Sequence, residues 1–134
     1  MAIQYDSGGI TLTLTAEEDL SAKQYYILKQ GAADLGCALA DAATDNPVGI
    51  LTNKPSASGQ AASVIAAGVT QVVAGAAITR GALLKNDGGG KVITAAVGSG
   101  DNFATIGKAL QSASGDGMVI TALINCLDSG NRES

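Results

Sequence analysis

The sequence contains no histidine and no tryptophan among its 134 residues. Without imidazole, the side chain best suited to proton transfer near neutral pH is absent. Ser-His-Asp and Cys-His nucleophile systems are excluded outright. Aromatic residues are scarce: Tyr5, Tyr25, Tyr26 and Phe103 are the whole set. A sugar-binding site built on flat aromatic platforms is therefore disfavoured. Only two cysteines occur, Cys37 and Cys126. The common zinc sites need four Cys or His ligands, so two distant thiols exclude them. In a reducing compartment these thiols read as free and buried, packing as small hydrophobes. Basic residues number 8, are scattered, and leave a net charge of −4. The electrostatic footprint of a nucleic-acid binder is missing. No apolar run approaches the ~20 residues of a membrane-spanning helix. The N-terminus lacks the charged and apolar regions of a signal peptide. The chain thus reads as made in a cytoplasm, with neither nucleic acid nor membrane as a partner.

The remaining motifs carry little chemistry. Gly88-Gly89-Gly90-Lys91 is followed by Val92, where a phosphate loop needs Ser or Thr. Gly107-Lys108 is followed by Ala109, and Asn102 stands where that loop needs Gly. Both read as turns, since glycine accepts positive φ without steric cost. Glu17-Glu18-Asp19 and the Asp41/Asp45 pair lack the alternating spacing of a calcium loop and read as solvated acidic surface. No asparagine stands in a glycosylation acceptor pattern. Catalytic, cofactor and metal residues are all expected to be absent.

What is present is a repeat. Val48-Gly49-Ile50-Leu51 has a second copy in Ile106-Gly107-Lys108-Ala109-Leu110. Each copy follows a turn-rich acidic segment and precedes a small-residue turn, Ser56-Ala57-Ser58-Gly59 or Ser112-Ala113-Ser114-Gly115. Each then leads to a β-branched run. Upstream, Ile27-Leu28-Lys29 matches Leu83-Leu84-Lys85. The halves run in parallel at an offset of about 55–58 residues, as one strand pattern used twice.

Alternation and turn signals predict nine or ten short strands. Ile10-Thr11-Leu12-Thr13-Leu14-Thr15 is the clearest, with Ile10, Leu12 and Leu14 inward. Residues 24–29 read as a strand, on which Tyr25 and Tyr26 face opposite ways. Leu35–Ala40 follows by analogy with residues 91–96, despite a helix-favouring Ala content. Val48–Asn53 is a strand, and residues 62–66 and 69–73 are two strands about a turn at Gly68. A hairpin at residues 86–90 and strands at 104–110 and 118–127 complete the set. The expected fold is one all-β domain over 10–127, a small sandwich or barrel with two related halves. Residues 1–9 form an arm and 128–134 a tail, both flexible. With few aromatics the core rests on Ile, Leu and Val, so a partner or self-association is expected to add stability.

This order of motifs resembles the capsid cement, or decoration, proteins of tailed bacteriophages. The residues that carry the likeness are Thr11-Leu12-Thr13, the Tyr26–Lys29 strand, Val48-Gly49-Ile50, Val69–Val73, Gly81-Ala82-Leu83-Leu84 and Ile106-Gly107-Lys108-Ala109-Leu110. They cover residues 8–127, although 32–46 is richer in alanine than that pattern. The resemblance implies a non-enzymatic structural virion protein on the capsid exterior that cements neighbouring major capsid protein subunits, as a homodimer or homotrimer. The candidate contacts are Ile3, Gln4 and Tyr5 in the arm, Thr11 and Thr13 on the first strand, and Tyr25. The alternative is a carbohydrate- or host-surface-binding β module of a phage fibre or spike. Jelly roll, β-tulip and closed barrel all remain compatible with the strand pattern.

Overall fold

A computed structural model describes residues 9–42, 45–95, 103–127 and 131–132. The chain is all-β, with ten strands among these residues: β1 (Ile10–Ala16), β2 (Ile27–Gln30), β3 (Gly36–Leu39), β4 (Pro47–Leu51), β5 (Ala61–Val73), β6 (Leu83–Asn86), β7 (Val92–Thr94), β8 (Phe103–Ala109), β9 (Val119–Asn125) and β10 (Asn131–Arg132). The order β1-β3-β2-β4-β5 closes on itself because β1 also pairs with β5, which makes a five-stranded barrel. The sheet continues β5-β9-β8-β6-β7, and β10 pairs with β8.

The second half repeats the first, strand for strand. Leu28 pairs with Gly49, and Leu84 with Gly107, each beside a register shift. Parallel pairing of β1 with β3 at Ala16 and Cys37 recurs as a single parallel bridge between Ala74 and Val92. The irregular bonds recur too. Leu20 N donates to Pro55 O, and Ile78 N to Ala113 O. Thr52 N donates to Ser63 O, and Leu110 N to Thr121 O. Strand β5 serves both halves. Its first part pairs with β1 and β4, while its last seven residues pair with β9 as β1 pairs with β5.

The core follows the same duplication. Leu14, Ala16, Leu20, Leu28, Leu51, Ala62 and Val64 fill the first barrel. Their counterparts Val72, Ala74, Ile78, Leu84, Ala109, Ile120 and Ala122 lie in the second cluster. That cluster also takes Ile27, Ile50 and Ile65, which lie side by side across β2, β4 and β5. The outer face of the first barrel is therefore packed against the second half.

Several local expectations are corrected. Residues 61–73 form one 13-residue strand instead of two. Gly68 has φ 134 but makes no turn; the strand runs through it, with Gly9 and Ile65 close against it. Ile10 is exposed, because a register shift between Ile10 and Thr11 takes it out of phase with Leu12 and Leu14. Strand β2 begins only at Ile27, since Tyr25 has φ 70 and breaks the extended chain, so Tyr25 and Tyr26 do not alternate on a strand. Strand β4 stops at Leu51, two residues short of Asn53.

The repeated glycines are sites of close approach. A Cβ on Gly49 would collide with the Ile65 carbonyl and the Val64 side chain; one on Gly107 would collide with Leu123 and Ile124 backbone. Backbone cannot yield as a side-chain tip can. Gly49→Ala and Gly107→Ala should each destabilise the fold by about 1–3 kcal/mol, the range of core overpacking. Urea denaturation checks this, and a change below ~0.5 kcal/mol at both sites would contradict it.

Candidate interface

Strand alternation sends Leu12 and Leu14 into the barrel and leaves Thr11 and Thr13 outside. Two shallow clefts meet at Thr11. One is lined by Thr13, Thr52 and Ser63, among others. The other, of about 320 Å³, is lined by Thr11, Tyr25, Thr52, Ile65, Val69 and Gln71, with Thr70. Three of the residues predicted from sequence, Thr11, Thr13 and Tyr25, thus border one continuous groove. Ile3, Gln4 and Tyr5 lie outside the described residues.

The groove is held by side-chain bonds to backbone. The Thr52 hydroxyl donates to Ser63 O (3.1 Å), and Gln24 Nε2 donates to Thr52 O (3.0 Å). Asn53 Oδ1 accepts from Ser63 N at 2.9 Å, and its amide donates to Ala61 O at 3.1 Å. Strand β1 pairs with β3 only at Thr15 and Ala16, so Ile10–Leu14 keeps one edge unpaired among the described residues. Hydroxyls, an amide and an open strand edge suit a protein surface that exchanges hydrogen bonds or adds a strand.

Tyr25 is the unusual member. Its N–H donates to Leu51 O (2.7 Å) and its carbonyl accepts from Val73 N (3.2 Å), which lock a left-handed backbone. In the second half the equivalent bond, from N–H to Ala109 O, is made by Gly81, with φ 93. Glycine adopts that conformation freely, whereas a tyrosine there bears a steric cost. The first half keeps a bulky ring where the repeat itself shows glycine to be workable. Aligning the halves residue by residue would have exposed Tyr25 against Gly81; the local sequence alone gives no such sign. Thr52, Ser63 and Gln71 were missed for a plainer reason, since polar residues on strand exteriors carry no pattern of their own.

Other reactive groups are committed elsewhere. Glu17 accepts from Ala32 N (3.0 Å) and Ala33 N (2.9 Å), Glu18 from Leu39 N (3.0 Å), and Asp19 from Ser21 N (2.9 Å). The acidic run therefore ties loops together. Lys29 sits between Asp41 (3.0 Å) and Asp45 (3.5 Å). No group of three metal-ligating side chains occurs among the described residues. Cys37 and Cys126 form no disulfide and lie buried in separate clusters. Burial pushes the Cys126 thiol up to about 12 and raises that of Cys37 as well, so neither forms a thiolate readily. Tyr26 lies beneath the Lys23 ammonium, 4.9 Å from the ring centre. With Tyr25 packed against the core, the two rings do not make an open platform.

The carboxylate bonds set a pH dependence. The Ala33 and Ala32 N–H groups hold Glu17 below its ordinary pKa, Ser21 does the same for Asp19, and Lys29 for Asp41. A carboxyl with a lowered pKa in the fold contributes stability above its unfolded pKa and loses it as pH falls through the folded value. The melting temperature should fall from pH about 5 downward and continue falling below about 4. Glu17→Gln should flatten part of that limb in thermal scans. An acid limb unchanged in the variant would contradict the assignment.

The comparisons with known proteins agree with this picture. The phage cement protein family matches residues 3–124. The crystal structure of the head fiber gp8.5 N base in bacteriophage phi29 is similar in fold, with a TM-score of 0.63 at 22% identity. The likeness covers 88% of this chain and 95% of that one. No curated protein matches. A family match over nearly the whole chain, on a duplicated all-β body of this kind, places the protein among the phage cement proteins, which are structural proteins of the bacteriophage virion.

Proposed function

We propose that the protein binds the exterior of the assembled phage head and bridges neighbouring major capsid protein subunits, as a homodimer or homotrimer. The observation that carries this reading is the cement-family match over residues 3–124, which includes the N-terminal arm. The protein is made in the host cytoplasm and added to the shell. The arm residues Ile3, Gln4 and Tyr5 and the groove residues Thr11, Thr13 and Tyr25 form the shell contact. The open edge of β1 beside the groove supports strand addition from a capsid subunit. Tyr25, partly buried against the core yet lining the cleft with Thr11, supports a contact at that cleft. The carbohydrate-binding alternative gains nothing from the described aromatic rings, which are packed or covered.

Co-sedimentation with heads that lack the protein tests this. Bound copies should saturate at a multiple set by icosahedral symmetry. Tyr25→Gly should keep the circular dichroism spectrum and weaken pelleting by about tenfold or more, as loss of an aromatic anchor does. Deleting residues 2–9 should also weaken pelleting without unfolding the domain. Failure of the folded wild type to pellet would sink the capsid reading.

A further inference from the structure

The two halves provide an internal control for the surface, because the same backbone position occurs twice. Residues apolar in one half and polar in the other are not demanded by the fold. On the outer face of the second half, Leu110 stands where the first has Thr52, and Val69 where it has Thr11. Val119 stands where the first has Ala61. Leu83, Lys108 and Leu123 lie side by side across β6, β8 and β9. Their counterparts Ile27, Ile50 and Ile65 are buried against the second half. Leu83 is 42% exposed and Leu123 45%. The second half therefore presents an open apolar face with one ammonium, Lys108, in its middle row. Lys108 has no ion-pair partner among the described residues.

The first half carries a feature of matching chemistry. Leu35 is the most exposed large hydrophobic among the described residues, at 73%, and its backbone is left-handed, with φ 58. The equivalent position in the second half is Gly90, φ 91, as the paired bonds Gly31 N to Gly36 O and Asp87 N to Lys91 O establish. The chain again keeps a bulky residue where its own repeat has glycine. Here the side chain is turned to solvent, where it gains nothing from burial in the monomer. The loop beneath it is rigid. Glu17 accepts from Ala32 N and Ala33 N, Gly36 N donates to Ala33 O, and Leu35 O accepts from Thr15 N at 2.9 Å. Asp34, exposed beside Leu35, has no cation partner among the described residues.

We propose that copies of this chain associate head to tail, the Asp34-Leu35 knob of one copy seating on the Leu83–Lys108–Leu123 face of the next. Leu35 lies among Leu83, Leu110 and Leu123, and the Asp34 carboxylate meets the Lys108 ammonium. A two-fold pairing of the face with itself would set Lys108 against Lys108, which costs free energy. A heterologous contact avoids this and closes into a ring when the rotation permits. This deepens the oligomer reading above by naming its surfaces, and it is measured apart from head binding.

Sedimentation velocity of the full chain, over a range of concentrations, is the test. Wild type should associate. Asp34→Lys and Lys108→Asp should each weaken association by about tenfold or more, and the double exchange should restore it. Leu35→Gly should stay folded by circular dichroism, since glycine suits that backbone, yet lose association. A monomeric wild type would overturn the proposal even if the protein pellets with heads. So would association indifferent to these substitutions. Loss in both single variants without rescue in the double would overturn the Asp34–Lys108 pairing.

Discussion

The structure depends on one strand being paired along its whole length. Strand β5 closes the first barrel with β1 and β4, then takes the role of β1 for the second half by pairing with β9. A strand of 13 residues is long for so small a domain, where five or six is usual. Its length follows from duplication, since the last strand of one unit is also the first of the next. The strand runs through Gly68 without a break and so serves both halves. Ile27, Ile50 and Ile65 then bury the seam, so neither half keeps its inner face exposed. A core made mostly of Ile, Leu, Val and Ala, without a fully buried aromatic among the described residues, is sufficient because both halves share it.

With the interior dictated twice over, the outsides are free to differ, and they do. The first half presents hydroxyls at Thr11, Thr13, Thr52 and Ser63; the second presents leucine and valine. Both non-glycine residues with positive φ among those described, Tyr25 and Leu35, lie in the first half opposite glycines in the second. Leu35 stands at the surface, where strain gains nothing for the fold, whereas Tyr25 is half-buried and its ring also packs against the core. The bridging role proposed above would use such asymmetry, because it needs more than one kind of surface on a small body. The groove and the knob supply distinct chemistries, one polar and one apolar with a charge.

Much of the fold was legible in the sequence. The Val48-Gly49-Ile50 and Ile106-Gly107-Lys108 copies marked the duplication, and the structure gives the reason for their glycines: a Cβ would strike the neighbouring strand. Alternation exposed β1, and the repeat overruled the helix propensity of residues 35–40, of which Gly36–Leu39 form β3. Residues 61–73 were misread because a glycine between β-branched runs usually signals a turn, whereas here Gly68 sits within one continuous strand beside Gly9 and Ile65. Closure into a barrel was not legible, since the parallel contact of Ala16 with Cys37 joins residues with no pattern linking them. Thr11, Thr13 and Tyr25, singled out by alternation and scarcity, border the groove. Thr52 and Gln71 arrive only through tertiary pairing, and the strain at Tyr25 appears only in the backbone.

If β5 makes the two halves one body, they must open together. Hydrogen exchange of backbone amides measures this directly. Protection should be greatest and nearly uniform from Val64 to Val72, with β4 and β9 exchanging at the same global free energy. Exchange of the first barrel through an opening that leaves β8 and β9 protected would show two independent units, and would contradict the shared strand as the basis of the fold.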